Sequence, residues 1–234
     1  MNTHRRTAVI VGALYLIGTL AGVSSVGVLG GRLDAPGYLT AIAGDASPVR
    51  WAAVLVLVMA FALAMVPAVM FPILRRQNEP LAVGYVIFRG ALETSLYLAQ
   101  AICWLLLITV ARQHADATIP VDVLSGLGSL LIDAGGPITA VRDIVFSLGA
   151  LAFSSLLYTA RLVPRWLSGW GVLGALGYLA AGPLAVFSTG LGFLVIPLAL
   201  QEMVMAVWLI AKGFNSAAIA ELTSADREAT PAGA

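Results

Sequence analysis

Charged residues are scarce in this chain of 234 residues, and their scarcity excludes most soluble folds. Asp, Glu, Lys and Arg make up 11% of the sequence and apolar residues 60%, with a mean hydropathy of +0.95, whereas globular domains carry roughly 25% charged residues. The net charge is +1 and no block of basic residues occurs, so the sequence offers no electrostatic basis for nucleic-acid binding. This composition predicts a membrane domain.

Cysteine and histidine are also rare, which removes several chemistries. Cys103 is the only cysteine, so no internal disulfide and no CxxC redox or zinc pattern can form. His4 and His114 lie outside the predicted spans, which disfavours a histidine-ligated haem or an H-E-x-x-H zinc protease. The sequence contains no G-x-S-x-G elbow and no phosphate loop ending in Lys-Ser/Thr. We therefore expect no metal and no cofactor, and the balance is against an enzyme.

Long apolar runs fill most of the chain and predict an all-α fold of six transmembrane helices, each near the roughly 20 residues that cross a bilayer. The first run is too long for a secretory signal, so we expect it to be retained. A shorter stretch at residues 121–132 predicts an amphipathic interfacial helix in the loop between the third and fourth spans. The spans are predicted at about residues 7–29, 49–74, 81–110, 137–160, 166–186 and 190–211. They form one domain, residues 1–214, followed by a cytoplasmic tail, residues 215–234.

Basic residues in the short connections predict the orientation. Eight lie on the side that carries both termini and three on the other side. Because basic loops stay in the cytoplasm, we expect both termini to be cytoplasmic. The eight are Arg5, Arg6, Arg75, Arg76, Arg161, Arg165, Lys212 and Arg227; the three are Arg32, Arg50 and Arg112.

The third predicted span carries a stripe of polar residues. Arg89 and Glu93 are four residues apart, so on a helix they share one face and can offset each other's burial. Tyr97 and Gln100 continue the same stripe. Because an ionisable side chain near mid-span costs roughly 2.5 to 3.5 kcal/mol, this face is expected to point into the bundle.

Two further spans place polar residues at similar depth: Arg142 and Asp143 in the fourth, and Gln201 and Glu202 near the middle of the sixth. Buried ion pairs can be purely structural, and that alternative is as good as a functional one for both Arg-carboxylate pairs. The candidates for a polar, ligand-binding cavity are Arg89, Glu93, Tyr97, Gln100, Arg142, Asp143, Gln201 and Glu202.

Glu202 stands out when the charges in the spans are counted. Two arginines face three carboxylates there, which leaves one carboxylate in excess. Such a group in an apolar bundle should take a proton or hold a cation, and Glu202 has no partner on its own helix. The alternative is that Arg89 bridges Glu93 and Glu202, which would bring the third and sixth spans into contact.

Four stretches resemble a family of bacterial integral-membrane proteins of unknown function, the DUF4386 group. They begin at Arg6, Leu81, Leu162 and Leu198 and read RTAVIVGALYLIGTLAG, LAVGYVIFRGALE, LVPRWLSGWG and LALQEMVMAVWLIAKGFN. The resemblance implies a six-span protein of the bacterial inner membrane. It carries over no activity, substrate or catalytic residue.

Three functions stay open on this evidence. The first is a protein that binds or transports a small molecule or ion in a charged intramembrane cavity. The second is an enzyme acting on a lipid-soluble substrate, with Glu93 or Glu202 as acid/base and Arg89 as anion clamp. The third is a structural or assembly subunit without a ligand. The expected partners are the lipid bilayer and a small-molecule or cation ligand, with no nucleic acid; a homo-oligomer is left open.

Overall fold

The computed structural model describes residues 3–116, 119–186 and 196–229, and all regular elements of these residues are helices. The all-α prediction is therefore confirmed. The elements are α1 (Thr3–Leu29), α2 (Tyr38–Gly44), α3 (Ser47–Leu74), α4 (Glu79–Tyr85), a π-helix (Val86–Leu92), α5 (Glu93–Asp116), α6 (Val121–Asp133), α7 (Gly135–Thr159), α8 (Arg165–Val186), α9 (Ile196–Ala211) and α10 (Ser216–Ala229).

Four helical stretches of the described residues are long and apolar enough to cross a membrane. They are α1, α3, the run from α4 through α5, and the run from α6 through α7. A fifth is added if α9 and α10, which meet at 85°, form one broken span. The predicted fifth span coincides with α8, and the predicted sixth coincides with α9 from Ile196 onward, while residues 187–195 lie outside the described residues. The number six stays a prediction.

The helix expected between the third and fourth spans is present as α6, and only Ala134 separates it from α7. Leu124 of α6 is buried with Leu39 of α2 and Ile108 of α5. Together α6 and α7 count as one stretch of 39 residues, about 58 Å long at the α-helical rise, which is roughly twice the hydrocarbon thickness. The helix therefore extends the bundle at the end where α2 lies; its location at the membrane interface stays a prediction.

Small residues of α1 allow close packing against α3 and α9. A Cβ added at Gly18 would lie 2.8 Å from the side chain of Leu63, and one at Gly22 would touch Met59, both on α3. On the other side of the helix, a Cβ at Gly12 would lie 2.6 Å from a backbone carbonyl of α9. The G-x-x-x-G spacing of α1 thus serves contacts within the chain.

The last helix packs onto the bundle. Ala218, Ile219 and Leu222 of α10 are buried in the same apolar cluster as Ala8 of α1 and Leu209 of α9. The helical part of the predicted tail is therefore joined to the bundle core. The assignment of residues 215–234 to the cytoplasm stays a prediction.

The third predicted span is not a regular α-helix, because it widens into the π-helix Val86–Leu92. Its neighbours approach closely on two sides: a Cβ added at Gly149 of α7 would lie 3.3 Å from the backbone nitrogen of Arg89, and one at Gly90 would lie 3.4 Å from Pro67 of α3. Single π-helical turns are frequent at functional sites. Here the turn carries Arg89 and is held between α3 and α7.

Candidate functional site

Arg89 is the centre of a buried charged group that joins two helices and that we call the Arg89 cluster (Arg89, Glu93 and Glu202). Its Nη1 donates to the two carboxylate oxygens of Glu93 at 3.1 and 3.0 Å, and its Nη2 donates to Oε1 of Glu202 at 3.1 Å. The side chains of Arg89 and Glu93 are each 3% exposed, whereas that of Glu202 is 15% exposed. Arg89 therefore bridges α5 and α9, the arrangement that the sequence left as an alternative.

Aromatic rings surround the guanidinium group. Its central carbon lies 4.6 Å from the ring centre of Phe146 and 5.9 Å from that of Tyr15, within the range of cation–π attraction. The hydroxyls of Tyr15 and Tyr85 are 3.4 Å apart, and the ring of Tyr85 stacks on Phe153 with the centres 4.7 Å apart. These four residues were not predicted, since nothing in the sequence separates them from other aromatic residues in apolar runs.

Arg142 and Asp143 of α7 form a second, less buried pair. Nη2 of Arg142 lies 3.2 Å from Oδ1 of Asp143, with side-chain exposures of 19% and 15%. The guanidinium of Arg142 lies 4.9 Å from the ring centre of Tyr97, and the hydroxyl of Tyr178 donates to Oδ1 of Asp143 at 3.3 Å. This pair therefore links α5, α7 and α8.

A cavity with a volume of about 770 Å³ is bordered by both charged groups. Its lining runs from the α6–α7 junction, where Ile132 and Gly135 contribute, to Glu202 of α9. Pockets for small molecules in proteins typically measure roughly 300 to 1,000 Å³. Of the eight predicted residues the cavity is lined by Arg89, Glu93, Tyr97, Gln100, Arg142, Asp143 and Glu202.

Gln201, the eighth predicted residue, lies away from this cavity. Its side chain is buried, and its amide donates to the backbone carbonyl of Leu167 in α8 at 3.1 Å. Successive residues of an α-helix point about 100° apart, so a helix that turns Glu202 to the cavity turns Gln201 to α8. Pro197 is the second residue of α9. A proline in a helix leaves the carbonyl four residues earlier without its usual donor, and here that carbonyl lies outside the described residues.

The cavity offers charge pairing, hydrogen bonding and proton exchange on carboxylates. Within residues 3–116, 119–186 and 196–229, no three His, Cys, Asp or Glu side chains are grouped so that they could hold a metal ion. Apart from the phenols of Tyr97 and Tyr178, which are neutral and are left out of the sum, the ionisable groups on the lining are two guanidinium groups and three carboxylates. Their sum is one negative charge when all are ionised.

Long apolar helices that enclose buried ion pairs define the class of this protein, which is an all-helical membrane protein. Within that class, the chain belongs to the family described as Domain of unknown function (DUF4386), whose model matches residues 10–213. The resemblance noted in the sequence is thus confirmed, and every candidate residue falls within the matched region. No curated protein and no solved structure matches the chain.

Proposed function

We propose that this chain is a six-span protein of the bacterial inner membrane, with both termini in the cytoplasm, that binds a small cationic molecule or a cation in its polar cavity as a step of transport. The observation that carries the proposal is the excess of carboxylates over guanidinium groups around one cavity. The orientation rests on the eight basic residues at one end of the bundle against three at the other.

The excess charge belongs to the Arg89 cluster. Arg142 and Asp143 neutralise each other, whereas Arg89 contacts both Glu93 and Glu202. An uncompensated charge in a low-dielectric interior costs several kcal/mol. The cluster therefore needs a proton or a cationic group to complete it.

Glu202 is the residue that we assign to this exchange. Its side chain is 15% exposed whereas that of Glu93 is 3% exposed, and it lines the cavity. Oε1 of Glu202 accepts from Arg89, and no hydrogen bond reaches Oε2 from the described part of the chain. A proton and a cationic ligand would compete for this oxygen, which is the basis of coupled transport.

The remaining lining favours an organic cation with an apolar body. Trp104 and Tyr178 border the cavity along with Met59 and Leu63. Aromatic faces attract ammonium groups by roughly 0.5 to 2 kcal/mol, and aliphatic side chains accommodate the uncharged part of such a molecule. In the proposed orientation, the end of the cavity at Gly135 faces the periplasm.

The enzyme alternative is less well supported by this geometry. It requires Arg89 to clamp an anion, but both terminal nitrogens of Arg89 already donate to carboxylates. The alternative of a structural subunit predicts that the cavity binds nothing, and it is therefore one outcome of the experiment below.

Calorimetric titration of the detergent-solubilised protein with tetraphenylphosphonium, NaCl and KCl tests the proposal. We expect at least one of these cations to bind and to release about one proton at neutral pH, which is measured from the dependence of the binding enthalpy on the buffer. Glu202→Gln should abolish the proton release without unfolding the protein, because the amide resembles the protonated acid.

Glu221→Gln is the matched control, because Glu221 is exposed on α10 and does not line the cavity. This variant should bind and release protons as the wild type does. Absence of binding by all three cations, together with wild-type thermal melting of Glu202→Gln from pH 5 to 9, would leave the structural-subunit alternative.

A further inference from the structure

A polar groove, separate from the cavity, lies at the end of the bundle opposite the α6–α7 junction. It lies between the turn that joins α7 to α8 and the turn that joins α9 to α10. Its volume is about 510 Å³. The two turns are tied together by Asn215, whose backbone N–H donates to the carbonyl of Leu162 at 2.9 Å and whose side-chain amide donates to the carbonyl of Arg161 at 3.4 Å. The groove is lined by Arg161, Arg165, Trp208, Lys212, Asn215 and Ser216, among others.

Three cations of this groove have no acidic partner among the side chains that the structure describes. Arg161, Arg165 and Lys212 are exposed, and no carboxylate of the described residues lies within ion-pair distance of them. The central guanidinium carbon of Arg165 lies 5.4 Å from the ring centre of Tyr158. This contact orients the guanidinium but does not neutralise its charge. The groove therefore combines three unneutralised positive charges with the hydroxyl of Ser216.

The backbone of Arg161 adopts a conformation that favours glycine, which indicates a role for the arginine side chain. Arg161 follows the end of α7 with a φ of 51°, in the left-handed region that disfavours residues with a Cβ. The equivalent position after α9 is occupied by Gly213, with a φ of 77°, as is usual after a helix. An arginine where glycine would be less strained points to a role for its guanidinium in the groove.

Two tryptophan side chains lie beside the groove. Trp166 is 56% exposed, and its ring meets that of Trp208 edge to face with the centres 6.2 Å apart. Trp is enriched where a protein crosses from hydrocarbon to headgroups. We therefore expect the groove to lie at headgroup depth, at the end of the bundle that carries the basic residues.

We propose that this groove binds the phosphate of an anionic phospholipid, with Arg161, Arg165 and Lys212 as its ligands and the paired Trp166 and Trp208 beside the acyl chains. The proposal rests on the membrane placement of the helices and is independent of the ligand in the cavity. Guanidinium groups form paired hydrogen bonds with phosphate oxygens, and three cations in one groove favour an anionic over a zwitterionic headgroup.

Native mass spectrometry of the detergent-solubilised protein, titrated with phosphatidylglycerol or phosphatidylcholine, tests this site. We expect phosphatidylglycerol to bind in preference to phosphatidylcholine, and Arg161→Gly and Lys212→Gln each to weaken its binding about fivefold. Arg161→Gly should melt at the wild-type temperature or higher, because glycine relieves the backbone. Lys212→Gln tests the same loss of lipid binding without changing the residue with the strained backbone, Arg161.

Arg75→Gln is the control, since Arg75 is an exposed cation at the same end of the bundle and does not line the groove. It should change phosphatidylglycerol binding less than twofold. An equal loss in Arg75→Gln would show general attraction to the charged surface, and unaltered binding in both groove variants would exclude the site. Equal binding of phosphatidylglycerol and phosphatidylcholine, with binding of millimolar inorganic phosphate that both groove variants weaken, would assign the groove to free phosphate and overturn the lipid proposal.

Discussion

Because Arg89 contacts both carboxylates of its cluster, removal of Arg89 should lower the free energy of unfolding more than removal of Glu93. Each contact of Arg89 with Glu93 or Glu202 measures 3.0 to 3.1 Å, which corresponds to roughly 5 kcal/mol of attraction at an effective dielectric constant of 20. Arg89→Met leaves two carboxylates without a cation, so we expect it to lower the free energy of unfolding by about 3 to 5 kcal/mol.

Removal of Glu93 should be milder, because Arg89 keeps Glu202 and the cluster becomes neutral. We expect Glu93→Leu to cost about 1.5 to 3 kcal/mol, the range for lost hydrogen bonds to a charged group. The double variant Arg89→Met/Glu93→Leu leaves only Glu202, which borders the cavity and can take a proton or a hydrated cation there. The double variant should therefore lose less unfolding free energy than Arg89→Met alone.

Unfolding in mixed micelles, followed by far-ultraviolet circular dichroism at neutral pH, measures these differences. Arg32→Met is the control, because Arg32 is exposed in the loop after α1, and it should change the free energy of unfolding by less than about 0.5 kcal/mol. The reasoning is refuted if Glu93→Leu costs as much as Arg89→Met, or if the double variant is no better than Arg89→Met alone.

Three further predictions concern other parts of the chain. In a cysteine-free background, Ser47→Cys should react with an impermeant thiol reagent from outside the cell and Gln77→Cys should not, and the reverse result would invert the proposed topology. Gly149→Val should cost about 1 to 3 kcal/mol of unfolding free energy because it presses on the π-helix; Gly177→Val, with open space at its Cβ, should cost clearly less, and equal losses would contradict the close packing. The backbone N–H of Ser47 donates to the Asp45 carboxylate at 2.9 Å, and this hydrogen bond holds the pKa of Asp45 below its usual range. The contribution of the hydrogen bond to stability should therefore be present at neutral pH and be lost as the pH falls through that lowered pKa. A carboxyl resonance of Asp45 that titrates at or above the usual pKa would contradict this.

The sequence by itself determined the class of fold and much of the candidate site. Apolar runs near the length of a bilayer crossing predict helices, because backbone groups in lipid must be paired within the segment. Arg89 and Glu93 had to meet if that run is helical, since residues four apart share a face. The cost of a buried charge also required the stripe from Arg89 to Gln100 to face the protein interior, and these residues do line the cavity.

Only the tertiary structure decided how the helices share their charges. Whether Glu202 or Gln201 faces the cavity depends on the rotation of α9 about its axis, which packing against α1 and α8 sets and no local pattern encodes. The contact of Arg89 with Glu202 joins residues 113 positions apart, and the rings of Tyr15 and Phe146 reach the same guanidinium from two other helices. The π-helix is also a feature that only the tertiary structure decided. Gly149 and Pro67 approach it on either side, and this approach is a property of the neighbouring helices and not of residues 86–92. Spacing along a chain fixes which residues share a helix face, but contacts between faces depend on how the helices pack.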